Sequence, residues 1–152
     1  MGEQQSGEQK RPQYQTSSDL RNEQRAVPAI ESALRGEARK LPRNHFADFV
    51  VVGEGGGILS YVEYKRRKFK WGAYPTILLS ATKFLKLRSV SGLRVRSFFV
   101  VEDDDGDIRA LELTRADLDF TVEYGGRTAQ TRDPRDIEPV VHLGCEQFRR
   151  IS

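Results

Sequence analysis

Three residues in this chain have the types and spacing to handle phosphate chemistry. Asp48 interrupts an apolar, β-branched run, Phe46 to Val52 (FADFVVV), where a lone carboxylate is costly to bury. Glu63 stands between Val62 and Tyr64 in a second run, Ile58 to Lys65 (ILSYVEYK), and Lys65 follows two residues later. Fourteen residues lie between Asp48 and Glu63, about half of them loop or strand end, so a hairpin can bring the two acids together. Hard carboxylate oxygens suit Mg²⁺, which keeps several waters and is completed by substrate phosphate. Such an ion lowers the pKa of a bound water and stabilises charge on a phosphoryl transition state. A lysine beside it can orient the water or meet the phosphate as a point charge. Two plainer readings stand beside this one. Asp48 can cap a turn or pair with Arg43 at a strand edge, and Glu63 and Lys65 can form a solvated cross-strand ion pair.

The flanking sequence supplies elements to position these residues. Residues 1–25 are rich in Gln, Glu, Ser and Arg, too polar to offset the entropy of ordering, and are expected to form a flexible arm. Residues 26–152 then make one domain. Pro28 suits a first helical turn, and Ala29, Ile30, Ala33, Leu34, Ala38 and Leu41 recur at helical steps, predicting a helix over 27–40 that Pro42 stops. Phe46–Val52 and Ile58–Lys65 read as strands joined by the Gly53–Gly57 loop, which contains four glycines. Alternation puts Leu59, Tyr61, Glu63 and Lys65 on one face and Ile58, Ser60, Val62 and Tyr64 on the other. After a bend at Trp71–Pro75, helical spacing of Ile77, Leu78, Ala81, Phe84 and Leu85 predicts a helix over 76–88. Further strands are expected at 95–101, 108–113, 118–124 and 139–143, with turns at Asp103–Asp107, Gly125-Gly126 and Asp133-Pro134 and a short final helix over 145–151.

Asp48 followed by Glu63-Tyr64-Lys65, on adjacent strands after a helix, resembles the PD-(D/E)XK nuclease superfamily, whose small members include Holliday-junction resolvases and phage nucleases. The resemblance spans roughly residues 27–113, in the order of that family's αβββαβ core. It implies an α/β fold with a central mixed sheet flanked by helices, like that of restriction endonucleases. It also implies that Asp48, Glu63 and the main-chain carbonyl of Tyr64 hold Mg²⁺ or Mn²⁺, and that Lys65 positions the water. Many members add a glutamate from the preceding helix, for which Glu31 is the better candidate and Glu37 the second. A polar residue on the following helix often faces the site, which points to Lys83. Ala47 stands where the family name has proline, a variable position in that family. The activity implied is metal-dependent hydrolysis of DNA phosphodiesters leaving a 5′-phosphate, with a homodimer addressing two strands and a cytoplasmic setting.

Charge is separated along the chain. Residues 61–96 carry ten basic side chains against one acid, Glu63, whereas residues 97–138 carry twelve acids against five arginines. A dense basic block gains from releasing counterions of a polyanion, so DNA is the expected partner; the alternative is a solvated surface whose halves pair. Arg66, Arg67, Lys68 and Lys70 read as a phosphate clamp beside the site, with Phe69, Trp71 or Tyr74 able to stack on a base. Lys83, Arg94 and Arg96 are expected to widen the same patch.

Other motifs carry less. Glu102–Asp107 lacks the spacing of a calcium loop, and Gly53–Gly57 lacks the Gly-Lys-Ser/Thr ending of a phosphate loop. His45 is expected at the surface and Cys145 in packing. One cysteine, Cys145, excludes a disulfide framework and any Cys-based zinc cluster, and two histidines, His45 and His142, are too few for a His-rich metal site. No apolar run is long enough to span a membrane, and the polar N-terminus does not read as a secretory signal. The reading is a Mg²⁺-dependent DNA endonuclease; its rival is a catalytically idle nucleic-acid-binding or virion-assembly protein on the same fold.

Overall fold

A computed structural model of the chain describes residues 17–124 and 138–152. Helix α1 spans Ser17–Leu34, and strand β1 (Glu37–Lys40) follows. Strands β2 (Phe49–Val52) and β3 (Ile58–Arg66) form the expected hairpin around the glycine loop. Next come β4 (Thr76–Ser80), helix α2 (Ala81–Ser89), β5 (Arg96–Glu102) and β6 (Ile108–Glu112). The chain closes with β7 (Thr121–Tyr124), β8 (Pro139–Gly144) and β9 (Arg149–Arg150).

Six strands make the main sheet in the order β1-β2-β3-β5-β6-β9, and β4-β8-β7 make a smaller one. Only β3 and β5 pair in parallel among neighbours of the main sheet; β4 and α2 form the crossover between them, as a parallel pair demands. One face of the main sheet packs Phe49, Val51, Val62, Phe98 and Val100 against Ala26 and Ile30 of α1. The other packs Phe99, Val101 and Leu111 against Phe84 and Leu87 of α2 and the small sheet. Strand β5 is therefore covered on both sides, which is why its middle, Phe98 to Val101, is an unbroken apolar run.

Several local expectations are corrected. Helix α1 takes in residues 17–25, the second part of the expected flexible arm, while residues 1–16 lie outside the described residues. Its buried stripe is Glu23, Ala26 and Ile30, so its first inward residue is an acid that an apolar pattern does not register. Pro28 sits mid-helix rather than at the start and removes one backbone donor; it and Gln24, four residues back, both face solvent, which limits the cost. The helix stops six residues early. Arg35 turns left-handed at φ 59°, and a Cβ on Gly36 would lie 2.6 Å from Val51 Cγ1. Residues 37–40 then pair with β2 as a strand.

The helix expected over 76–88 is strand β4 followed by α2. Ile77 and Leu79 alternate into the core, and Ser80 Oγ accepts from Lys83 N, starting the helix only at Ala81. The final helix is a single 3₁₀ turn at Cys145–Gln147 before β9. The turns expected at Gly125-Gly126 and Asp133-Pro134 lie outside the described residues.

Candidate active site

Asp48 sits just ahead of β2, tied into the sheet by its backbone: its N–H donates to Val62 O (2.9 Å) and its carbonyl accepts from Leu41 N (2.8 Å). Its carboxylate Oδ2 accepts from the Tyr64 N–H at 2.8 Å. The side chain is thereby held against β3 beside Glu63. Lys40 Nζ lies 3.8 Å from Asp48 Oδ1 and 3.3 Å from Glu23 Oε1, linking the strand acid to the buried helix acid.

Glu63 points to the α2 side of the sheet and is 1% exposed. Its Oε2 accepts from Lys83 Nζ at 3.1 Å and lies 3.7 Å from Lys65 Nζ. Its Oε1 is buried with no hydrogen-bond partner among the described residues. Burial, and then the nearby Asp48 charge, push the Glu63 pKa up to about 7, against the opposing pull of Lys83 and Lys65. A buried carboxylate whose pKa stays raised beside two lysines is the kind of perturbed acid that clusters at functional sites.

Tyr64 points the opposite way. Its hydroxyl donates to Glu102 Oε1 at 2.6 Å, and Arg25 Nη2 donates to Glu102 Oε2 at 2.7 Å. This chain ties α1 and β5 to the strand that carries Glu63 and Lys65.

The structure brings together Asp48, Glu63, Lys65, Lys83 and the Tyr64 main chain. It does not bring Glu31 or Glu37. Glu31 Oε2 accepts from Ala38 N, closing the turn between α1 and β1, and Glu37 is exposed and pairs with Arg39. The helix acid on the Asp48 side is Glu23, which sequence reasoning missed; its place three residues before Ala26 and seven before Ile30 was the available signal.

The basic run is also sorted. Lys68 and Lys70 are exposed, with Lys70 3.2 Å from Asp105. Arg67 instead donates to Leu78 O at 2.9 Å, and Arg66 is partly buried. Phe69 and Trp71 pack against the core, Trp71 edge-on to Phe148, so Tyr74 is the exposed ring of the three proposed for stacking. Arg94 and Arg96 do not widen this patch: Arg96 is level with Ser60 on β3, whereas Lys65 is level with Val101, about 16 Å further along the strand. His45 is exposed, tilted against Phe46 and stacked on Tyr61, and Cys145 Sγ donates to Tyr74 O. Asp103 accepts from Asp105 N and Asp107 N, making the expected hairpin turn.

A two-carboxylate cluster at the head of a hairpin, with a Glu-x-Lys strand and a lysine from the following helix, is matched by family membership. The family described as "Phage putative PDDEXK endonuclease" matches residues 9–151. The chain belongs to this family. It is a PD-(D/E)XK-type nuclease, and its mixed sheet between α1 and α2 is the restriction-endonuclease-like fold. Among solved structures, the nuclease is similar to Archaeoglobus fulgidus Hjc, a Holliday junction resolvase from an archaeal hyperthermophile. That likeness has a TM-score of 0.48 and 18% identity, over 64% of this chain and 82% of the other, and adds no argument of its own. No curated protein matches the chain. No helix among the described residues is long and apolar enough to cross a membrane.

No group of three or more His, Cys, Asp or Glu side chains among the described residues is gathered as a metal cage. The donors that the geometry places together are hard oxygens, the carboxylates of Asp48 and Glu63. With Glu63 Oε1 unpartnered among the described residues, they fit a dication that retains most of its waters.

Proposed function

We propose that this nuclease is a divalent-metal-dependent DNA endonuclease, with Asp48, Glu63 and the Tyr64 carbonyl as the metal-holding set. The observation that carries the reading is Glu63: a carboxylate 1% exposed, beside a second carboxylate, with one oxygen unpartnered. Bound Mg²⁺ or Mn²⁺ would supply Lewis-acid stabilisation of the phosphate charge and a water of lowered pKa. Asp48 and Glu63 contribute the negative charge that retains the ion. Lys65, its side chain 43% exposed and its Nζ 3.7 Å from Glu63 Oε2, is open to an incoming phosphate; its ammonium orients the attacking water and neutralises the scissile phosphate. Lys83 holds Glu63 Oε2 in place, and Glu23, in place of Glu31, is the supporting helix acid, held to Asp48 through Lys40. In-line attack by water oxygen on phosphorus breaks the P–O3′ bond, leaving a 5′-phosphate and a 3′-hydroxyl that takes up a proton. Lys68 and Lys70 grip the flanking backbone.

One observation favours the rival, a catalytically idle nucleic-acid-binding or virion-assembly protein: Lys83 and Lys65 already partly neutralise Glu63. The test uses supercoiled and branched DNA with Mg²⁺ or Mn²⁺, beside Asp48→Asn and Glu63→Gln. Nicking by the parent and by neither variant supports the nuclease reading. DNA binding without nicking in either metal establishes the rival.

A further inference from the structure

A second cationic feature lies far from the acids. Two adjoining cavities, of about 560 and 400 Å³, share Leu34, Arg35, Arg96 and Phe98 in their walls. They open where the end of α1 meets the starts of β3 and β5, on the sheet face opposite Glu63. Five arginines line them, Arg35, Arg94, Arg96, Arg115 and Arg149, against one acid, Glu112. Glu112 is paired with Arg96 at 3.2 Å and Arg115 with Asp117 at 3.0 Å. Arg35, Arg94 and Arg149 project from exposed positions.

Two independent observations mark this groove as more than a charged surface. Among the described residues, the non-glycine positions with left-handed backbone are Arg35 (φ 59°) and Arg94 (φ 60°), and both line it. That conformation is disfavoured for side chains with a Cβ and is ordinarily filled by glycine or asparagine; arginine at both places fits a requirement for the side chain itself. The second is Ser60, which lines the same space, is 3% exposed, and has a hydroxyl with no hydrogen-bond partner among the described residues. A buried hydroxyl of this kind calls for an acceptor. The Arg96 guanidinium lies over the Phe98 ring at 5.0 Å, at the wall that the two cavities share.

We propose that this groove binds the phosphodiester backbone of a second DNA segment, outside the strand presented to Asp48 and Glu63. Guanidinium forks match phosphate oxygens bidentately, the groove is open rather than enclosed, and its apolar floor (Leu34, Phe98) suits sugar edges. The inference rests on the DNA-nuclease reading and extends it to a substrate long or branched enough to reach two faces of the protein.

The test is binding of a four-way junction and a long duplex to the full chain in EDTA, across a salt series, by fluorescence anisotropy. The variant is Arg35→Gly/Arg94→Gly. Glycine relieves both left-handed positions, so its melting temperature should equal or exceed the parent's, separating lost contacts from lost folding. Affinity is expected to fall about tenfold or more, with the log–log salt slope reduced by about two. Ser60→Ala should weaken binding in the same direction. Unchanged affinity and slope in the double variant would overturn the groove and leave the nuclease reading standing. A groove-dependent loss in a parent that cuts DNA in neither Mg²⁺ nor Mn²⁺ would uphold the groove and overturn the nuclease reading. A parent that binds neither DNA overturns both.

Discussion

The Asp48 carboxylate is anchored on the backbone of the Glu-x-Lys strand: its Oδ2 accepts the Tyr64 N–H at 2.8 Å. One hydrogen bond thus sets the spacing between the acid before β2 and the acid within β3. An asparagine at position 48 can keep the bond through its carbonyl while removing the charge. Because like charge raises the Glu63 pKa, Asp48→Asn should bring it down from about 7, read by carboxyl-carbon NMR titration in EDTA. A Glu63 pKa unchanged in this variant would mean that the two acids do not interact.

Glu63 also makes stability depend on pH. Its folded pKa, about 7, exceeds its ordinary value of 4.5, so the folded state binds the proton more tightly. The Glu63 contribution to stability is therefore full below about pH 4.5 and is lost as pH rises to about 7, about 3 kcal/mol if the whole shift is expressed. Urea melts in EDTA at pH 5 and pH 8 should show this decline superimposed on other titrations, and Glu63→Gln should flatten it. A parent and variant with the same pH profile would sink this assignment.

Metal binding should reverse the same penalty. Mg²⁺ or Mn²⁺ that binds only the folded state raises the melting temperature with concentration. The rise is expected for the parent at pH 8 and absent for Asp48→Asn and Glu63→Gln.

The Tyr64 hydroxyl, donating to the buried Glu102, is predicted to be structural. Tyr64→Phe leaves Glu102 with Arg25 as its remaining side-chain partner among the described residues and should cost about 1–3 kcal/mol in chemical denaturation. Arg25→Ala combined with it should cost less than the two singly added, because both act on one carboxylate.

Gly36 marks the point where α1 hands over to β1. A methyl group there meets Val51 Cγ1 at 2.6 Å and Val52 O at 2.8 Å. Gly36→Ala should destabilise by about 1–3 kcal/mol, measured by thermal or urea unfolding, whereas alanine at Gly92, where nothing lies within 4 Å, should have little effect.

The positions of Asp48, Glu63 and Lys65 were legible because each interrupts or follows a β-branched run, and a period of two assigns faces without a partner strand. The β2–β3 hairpin was legible for the same reason, its glycine-rich loop leaving no other element to form. The 76–88 segment was not, because Ile77, Leu78, Ala81 and Phe84 satisfy helical spacing while Ile77 and Leu79 satisfy a strand's; the Ser80 cap and pairing with β8 decide it.

Sequence by itself determined the chemistry on offer, namely acids, lysines and the strands that carry them. Tertiary structure alone decided which helix acid belongs to the site, since Glu23 is drawn in by packing of Ala26 and Ile30 in a stretch too polar to announce a helix. It also decided that Arg94 and Arg96 leave the Lys65 side and join Arg35 and Arg149. Residues over a hundred positions apart meet only when strand register brings them level, and register is a property of the folded sheet.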